Sequence, residues 1–348
     1  MKFFLSSAAV ALLSGTPVVS TPLARPLRVT GEQAARRDWV RDPALDQRLK
    51  DALESVGAPG AVGAVLKLGE PIRVGAFGVR KAGVDTAIEP EDLVHIGSDT
   101  KAMTAVLVAR LVQQGKLRWD ATVGETLKSI ADEIDPGFRS VTVTQLLQHT
   151  AGVPSDAEDW WAYPDEELRE RRLRLARDGM KRAPEAEPGT RHQYSNLSVM
   201  IAGAMAEVAC DKEWETLMRE EVFQPLGMDS AGFGVPGTLG RVDQPWGHGE
   251  DDEGAFVPVQ LDNDPALGPA GTVHLSMSDW GRFVSVFLMP AEGSSETLAE
   301  SDDGAFLSAD SRTRLLTSGV KGGNYGMGWI VVQRPWAQGD ALTHAGSN

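Results

Sequence analysis

The chain has very little cysteine, a single residue, Cys210, among 348. One thiol excludes an internal disulfide, so the fold must rest on its packed core. Cys210 falls in a predicted helix rich in alanine and methionine, which indicates a buried, unreactive thiol rather than a nucleophile. A chain of this length can bury a large core in one or two lobes.

Metal and nucleotide motifs are also missing. The six histidines are scattered along the chain, and no H-E-x-x-H pattern brings two of them together. There is no Walker loop, no Rossmann fingerprint opening a βαβ unit and no G-x-S-x-G elbow. We therefore expect no metal and no cofactor.

Positive charge is in short supply, and the formal net charge is -15. This excess of acid argues against nucleic acid and against anionic membrane surfaces as partners. One basic cluster, between residues 169 and 182, alternates with leucine at helical spacing and indicates the solvent face of an amphipathic helix.

The N-terminus has the pattern of a secretory signal peptide over residues 1–20. Lys2 supplies the positive end, residues 3–13 the apolar run, and residues 18–20 a small-residue cleavage site. The apolar run is too short to span a membrane. We expect an exported protein, periplasmic or extracellular, without stable membrane insertion after cleavage; the alternative is an uncleaved anchor near the membrane.

Apolar periodicity predicts strands at both ends of the mature chain and helices between them. The predicted elements are a helix over 45–56, a strand hairpin over 61–66 and 72–77, helices over 142–148, 166–181, 197–221 and 272–288, and strands over 327–332 and 342–344. This order suggests a sheet-based lobe that is split by a helical lobe, with a cleft between the two.

The most informative motif is Ser98-Asp99-Thr100-Lys101, where a polar stretch turns into a long apolar run. Residues three apart on a helix share one face, and helical side chains lean toward the N-terminus, so Lys101 would point back at Ser98. The motif therefore offers a nucleophile and a candidate base on one helix. The alternative is an ordinary helix start.

A second S-x-x-K match, Ser318 to Lys321, lies among glycines with no apolar run behind it. We interpret this second match as a loop.

Two further short motifs could complete a site. Tyr194-Ser195-Asn196 follows a Pro-Gly turn and precedes a helix, which places a phenol and an amide at the rim of the predicted cleft. The alternative is that Tyr194 belongs to the core and that Asn196 is a helix N-cap. The phenol can shuttle a proton if a nearby lysine ammonium lowers its pKa. His344-Ala345-Gly346 ends a predicted strand, and its glycine would let a substrate backbone approach the strand edge.

In chain order, Ser98-x-x-Lys101, Tyr194-Ser195-Asn196 and His344-Ala345-Gly346 resemble the motifs of the serine β-lactamase and penicillin-binding protein family. The match is to its class C β-lactamase, D-Ala-D-Ala carboxypeptidase and β-lactamase-like esterase branch. Further family-like stretches are residues 141–153, 225–228, 269–273 and 325–329.

The resemblance implies an α/β (α+β) fold over residues 38–348. An antiparallel sheet lobe flanked by helices would comprise about 38–97 and 271–348, and a mostly helical lobe would comprise about 98–270. Relatives usually continue with two more strands and a helix, so the chain as given is expected to lack them.

The resemblance also implies catalytic roles. Ser98 would attack an acyl carbon, and Lys101 and Tyr194 would take its proton and pass it to the leaving group. Asn196 would position Lys101 and the substrate. His344 would keep the cleft polar and assist proton traffic or anion binding.

Further roles implied by the family concern the last strand. The backbone N–H groups of Ser98 and Ser347 would form the oxyanion hole, where such donors contribute about 3–4 kcal/mol each. Ala345 and Gly346 would bind substrate. Because Ala345 stands where many relatives have threonine, a hydroxyl used on substrate carboxylates is missing.

These features predict an exported serine hydrolase that acts on a small-molecule or peptide acyl substrate, an ester or an amide of esterase or D-amino-acid peptidase type. The alternatives are a β-lactamase or D-Ala-D-Ala carboxypeptidase, and a catalytically silent binding or regulatory protein on the same fold.

Overall fold

The computed structural model describes residues 38–288, 305–337 and 339–347, together with the backbone of Ser6–Ser7. The predicted signal peptide, residues 1–20, lies outside the described residues apart from that pair. Within the described part of the chain, no helix is both long and apolar enough to cross a membrane.

The α-helices, in chain order, are α1 (Pro43–Val56), α2 (Thr100–Gln113), α3 (Val123–Thr126), α4 (Val143–Leu147), α5 (Leu168–Gly179), α6 (Asn196–Cys210), α7 (Trp214–Met218), α8 (Gly268–Gly271), α9 (Met277–Leu288) and α10 (Ala309–Leu316). The strands are β1 (Ser6–Ser7), β2 (Trp39–Arg41), β3 (Gly60–Val65), β4 (Ile72–Lys81), β5 (Val84–Ala87), β6 (Val94–His95), β7 (Gly232–Phe233), β8 (Gly247–Glu250), β9 (Phe256–Val259), β10 (Val273–Leu275), β11 (Ile330–Arg334), β12 (Gly339–Thr343) and β13 (Gly346–Ser347).

The predicted hairpin near the N-terminus forms the largest sheet. β3 and β4 pair antiparallel, β5 adds to β4, and β2 pairs with β4 in parallel. Gly75 of β4 lies against Leu45 of α1, whereas Ile72 of the same strand lies against Gly281 of α9. Because successive strand residues face opposite sides, α1 and α9 cover the two faces of this sheet.

Helix α2 lies at the centre of the core. Eleven of its fourteen residues are buried, as expected for a helix that is apolar nearly all round. It packs against α6 and α8. Thr104 of α2 donates to the Pro269 carbonyl at 2.7 Å, so a polar contact inside the core aligns α8 with α2.

Two predicted helices differ from those observed. The helix over 197–221 breaks after Cys210, where Asp211 adopts a left-handed conformation, and continues as α7 and a π-helical turn. The break lets the Trp214 N–H donate to the buried Glu207 carboxylate at 2.9 Å. The helix over 272–288 begins at Met277, because the preceding residues form β10, which pairs with β6 and β7.

The strands near the C-terminus also differ in their bounds from the strands predicted over 327–332 and 342–344. β11 and β12 form an antiparallel hairpin, and His344 lies just beyond β12. β13 pairs antiparallel with β1. The mixed arrangement of sheets and helices confirms the predicted fold class, while the division into lobes at about residues 97 and 271 stays a prediction.

Candidate active site

The candidate nucleophile lies at the start of the central helix. Gly97–Asp99 form a 3-10 turn that runs directly into α2, so Ser98 and Lys101 stand one helical turn apart. Lys101 Nζ is 2.9 Å from Ser98 Oγ. Ser98 is half-buried and Lys101 is 1% exposed, so the amine reaches the hydroxyl from inside the protein.

Burial changes the acid–base character of Lys101. Removal from water disfavours the ammonium and lowers the pKa of Lys101 to about 7, although the carboxylates of Asp156 and Asp99 oppose this effect. Nζ also donates to the Ala270 carbonyl at 2.7 Å. An amine that is substantially neutral at pH 7 can accept the Ser98 proton.

Tyr194 approaches the nucleophile from the segment that directly precedes α6. Its O–H donates to Ser98 Oγ at 2.8 Å, and its ring lies 4.6 Å, centroid to centroid, from the His149 ring. Tyr194 is 39% exposed, but burial of its hydroxyl group raises the pKa of Tyr194 to about 12. The expectation of a lysine-lowered phenol pKa is therefore wrong, and Tyr194 remains a proton donor at neutral pH.

Asn196 has a different partner from the predicted one. Its amide donates to Asp156 at 2.8 Å, whereas the described hydrogen bonds of Lys101 go to Ser98 and Ala270. The helix N-cap is Ser195, whose hydroxyl accepts from the Ser198 N–H. Asn196 thus orients the Asp156 carboxylate at the rim instead of holding the lysine.

His344 lies beneath the site surface rather than in the cleft. It is 6% exposed, its Nδ1 is 3.0 Å from Asp99 Oδ1, and its Nε2 is 3.2 Å from the Tyr325 hydroxyl. Both ring nitrogens are thus engaged by protein groups. This placement contradicts a direct role of His344 in anion binding, because a substrate anion would have to displace Asp99 or Tyr325.

The last strand passes close to the nucleophile. A Cβ on Gly346 would lie 1.9 Å from the Ile96 carbonyl oxygen and 3.0 Å from the Ser98 nitrogen, and a Cβ on Gly97 would lie 2.6 Å from the Ser347 nitrogen. The absence of side chains at both glycines brings the N–H groups of Ser98 and Ser347 to one region, as an oxyanion hole requires. Gly346 therefore packs against the nucleophile turn, while Ala345 is exposed.

Several residues of the site were not predicted from the sequence, namely Asp99, His149, Asp156 and Tyr325. His149 and Tyr325 belong to stretches noted only as family-like. His149 has φ 57, an uncommon conformation for a residue with a side chain, and its ring supports Tyr194. The second S-x-x-K match, by contrast, lies in turns with Lys321 exposed.

No group of three or more potential metal ligands was found among the described residues. The chemistry that this arrangement offers is that of an activated hydroxyl, an amine base and a phenolic acid.

The model of the Beta-lactamase family matches residues 45–348. The chain belongs to the Beta-lactamase family. This family comprises serine hydrolases, and the match covers all of the candidate site residues.

Two relatives illustrate the range of the family. The chain is 30% identical over 234 residues to penicillin-binding protein 4 of Amycolatopsis lactamdurans, covering 66% of this chain and 59% of the relative. It is 28% identical over 221 residues to an unguisins hydrolase of Aspergillus campestris, covering 60% of this chain and 40% of the relative. The chain thus spans about half the length of these relatives.

Solved structures share the fold. A penicillin-binding protein homologue from Pyrococcus abyssi superposes with a TM-score of 0.65 at 24% identity, covering 83% of this chain and 64% of that one. A D-amino acid amidase from Ochrobactrum anthropi superposes with a TM-score of 0.65 at 18% identity, covering 87% and 83%.

Proposed function

We propose that this Beta-lactamase family member is an exported serine hydrolase that forms an acyl-enzyme on Ser98 and hydrolyses an ester or an amide. The observation that carries the proposal is the convergence of two groups on Ser98 Oγ. Lys101 Nζ lies 2.9 Å away with a pKa lowered to about 7, and the Tyr194 O–H donates at 2.8 Å.

In the proposed acylation, neutral Lys101 accepts the Ser98 proton while Oγ attacks the acyl carbon. The N–H groups of Ser98 and Ser347 stabilise the oxyanion. Collapse of the tetrahedral intermediate expels the alcohol or amine, which takes a proton from Tyr194, and the Lys101 ammonium returns a proton to the phenolate. In deacylation, Lys101 takes a proton from the attacking water, the bond between the acyl carbon and Ser98 Oγ breaks to release the acid, and the Lys101 ammonium returns the proton to Oγ.

The charges around the site favour substrates without a carboxylate. Asp156 places a negative charge at the rim, both nitrogens of His344 have protein partners, and Ala345 offers no hydroxyl. A carboxylate of the kind carried by β-lactams and D-Ala-D-Ala would meet repulsion there. We therefore expect neutral or cationic esters and amides, including amides of D-amino acids, the substrate class named for the Ochrobactrum neighbour.

The chain offers a matched pair of serines to test this mechanism. Intact-mass measurement after treatment with a fluorophosphonate should give one adduct on the parent protein and none on Ser98→Ala. Ser318→Ala, the serine of the second S-x-x-K, should react like the parent. A folded parent protein without an adduct, or an adduct retained in Ser98→Ala, would refute Ser98 as the nucleophile and favour a silent binding protein.

Export is proposed from the N-terminal pattern. N-terminal sequencing of the protein recovered outside the cytoplasm should begin shortly after Ser20. Recovery of the full chain from the cytoplasm alone would contradict export.

A further inference from the structure

Four buried polar side chains form one continuous chain of hydrogen bonds behind the candidate site. Asp99 Oδ1 lies 3.0 Å from His344 Nδ1, His344 Nε2 lies 3.2 Å from the Tyr325 hydroxyl, and that hydroxyl lies 3.2 Å from His149 Nε2. At the far end, the Ser195 N–H donates to His149 Nδ1 at 3.2 Å. All four side chains are at most 6% exposed.

A backbone donor at the His149 end and a carboxylate at the Asp99 end together set the direction of each hydrogen bond in the series. Because an amide N–H can only donate, His149 Nδ1 is an acceptor, and a neutral His149 carries its proton on Nε2. Burial lowers the pKa of His149 well below its usual value, which supports the neutral ring. His149 therefore donates through Nε2 to the Tyr325 oxygen.

The remaining bonds follow from that first one. Burial raises the pKa of Tyr325 well above 10, so its single proton stays in place and is donated to His344 Nε2. His344 then carries its own proton on Nδ1 and donates it to the Asp99 carboxylate. Burial raises the pKa of Asp99, and the hydrogen bond from His344 and the charge of Lys101 oppose this effect and favour the carboxylate. Each donor in the series meets an acceptor, while the second carboxylate oxygen of Asp99, Oδ2, is buried with no hydrogen-bond partner among the described residues.

We propose that Asp99, Tyr325 and His149 are positioning residues that hold His344 as the neutral Nδ1–H tautomer. Through these hydrogen bonds they fix the relative positions of three segments of the site, which carry the nucleophile, the last strand and the catalytic tyrosine. Asp99 is adjacent to Ser98, and His344 is two residues before Gly346, which packs against the nucleophile turn. The His149 ring supports Tyr194, whose hydroxyl reaches Ser98. The catalytic part of this inference rests on the proposed function.

The first test is independent of activity. Side-chain 15N NMR of the full chain labelled at histidine, at pH 7, should show His344 neutral with the proton on Nδ1 and His149 neutral with the proton on Nε2. An imidazolium or an Nε2–H tautomer at His344 would overturn the proposal. Failure of Ser98 to react with a fluorophosphonate would refute the proposed function but leave these signals unchanged, so the two failures are distinguishable.

The second test removes the central link. In Tyr325→Phe, His344 Nε2 loses its described donor and His149 Nε2–H loses its described acceptor, so the side-chain 15N signals of both histidines should move, while Asp99 still accepts from His344 Nδ1–H. We expect kcat to fall about ten- to a hundredfold with KM changed less than about threefold, the effect of a lost buried hydrogen bond that orients the catalytic groups. An unchanged kcat with an unchanged His344 signal would overturn the proposal.

A matched control is available because the chain has three tyrosines. The Tyr163 hydroxyl is also hydrogen-bonded, to Asp178 and Arg177, but lies outside the chain of bonds just described. Tyr163→Phe should leave kcat and the histidine signals unchanged. A loss equal to that of Tyr325→Phe would show that any missing phenol has this effect and would overturn the proposal.

Asp99→Asn covers the case in which Tyr325→Phe does not fold. The carboxamide oxygen can still accept from His344 Nδ1–H, so the tautomer should persist. The lost charge should move the acid limb of kcat/KM to lower pH, because Asp99 raises the pKa of Lys101. The other titratable groups facing this region are Asp156, His192 and Tyr194. An unmoved acid limb with a changed tautomer would overturn the proposal.

Discussion

Lys101 Nζ and Ser98 Oγ lie 2.9 Å apart on one turn of a helix that is otherwise packed inside the core. The same burial that makes this helix part of the core lowers the pKa of its lysine to about 7. Burial of Lys101 therefore affects both the stability of the fold and the activation of the nucleophile. The free energy of unfolding and the rate should both change with pH as Lys101 loses its proton.

The first prediction concerns the rate. With an uncharged ester or amide substrate, kcat/KM should rise with pH and level off above an apparent pKa of about 7, since Lys101 must be neutral to accept a proton. A pH series from 5 to 9 in a constant-ionic-strength buffer measures this limb. An acid limb near the ordinary carboxyl range, around pH 4, would contradict Lys101 as the base.

The second prediction concerns the free energy of unfolding. The unfolded chain has the ordinary lysine pKa of 10.5, so between pH 7 and 10.5 it binds more protons than the native state, and stability must rise with pH. Below pH 7 the penalty for burying the ammonium is fully present. The gap between the two pKa values corresponds to an upper limit of about 5 kcal/mol.

Lys101→Met removes the buried amine, so it abolishes both the cost of burying the ammonium and the proposed catalytic base. Urea unfolding at pH 6, 8 and 10 should show the variant exceeding the parent most at pH 6, with the difference shrinking toward pH 10. Lys321→Met, at the exposed lysine of the second S-x-x-K, should follow the parent at every pH. Parallel curves for Lys101→Met and the parent would mean that the lysine is charged in the folded protein.

The third prediction concerns Asp156, which accepts from Asn196 and raises the pKa of Lys101 by its charge. Asp156→Asn should shift the acid limb of kcat/KM to lower pH by a few tenths of a unit, about the effect of an exposed charge. It should also improve the ratio of kcat/KM for carboxylate-bearing over neutral substrates. Asp159→Asn, an exposed neighbour on the same loop, should change neither value.

Much of the fold follows from local sequence signals. Asp42 caps α1 by accepting from the N–H groups of Ala44 and Leu45, and Gly57 ends it in a left-handed conformation. The Ser98–Lys101 spacing likewise predicts the contact observed at 2.9 Å. These features depend on residues that are close in the chain, where helix geometry alone determines the distances.

The long-range contacts could not be predicted in this way. The pairing of Asp99 with His344 joins residues 245 positions apart, and nothing in either local pattern indicates it. The raised pKa of Tyr194 reflects burial by several segments, which the spacing of Tyr194 and Lys101 does not reveal. The break after Cys210 depends on Glu207 and Trp214, whose contact forms only once the chain turns.

The fourth prediction concerns the loop that carries Tyr325. Gly328 has φ +81, and a Cβ there would lie 2.4 Å from the backbone nitrogen and Cα of Ala102 on the nucleophile helix. Gly328→Ala should lower the free energy of unfolding by about 2–5 kcal/mol, combining a left-handed backbone with an overpacked contact. It should also reduce fluorophosphonate labelling, because α2 or Tyr325 must move to relieve the clash.

A control at Gly322 separates the effect of the left-handed backbone conformation from the effect of the overpacked contact. It has a similar φ of +74, but a Cβ there would meet nothing within 4 Å, so Gly322→Ala carries the backbone strain alone. We expect it to cost about 1–2 kcal/mol and to leave labelling of Ser98 unchanged. If the two variants lose equal stability and label equally, the contact between Gly328 and Ala102 does not constrain the nucleophile helix, and the loop holds Tyr325 by other contacts.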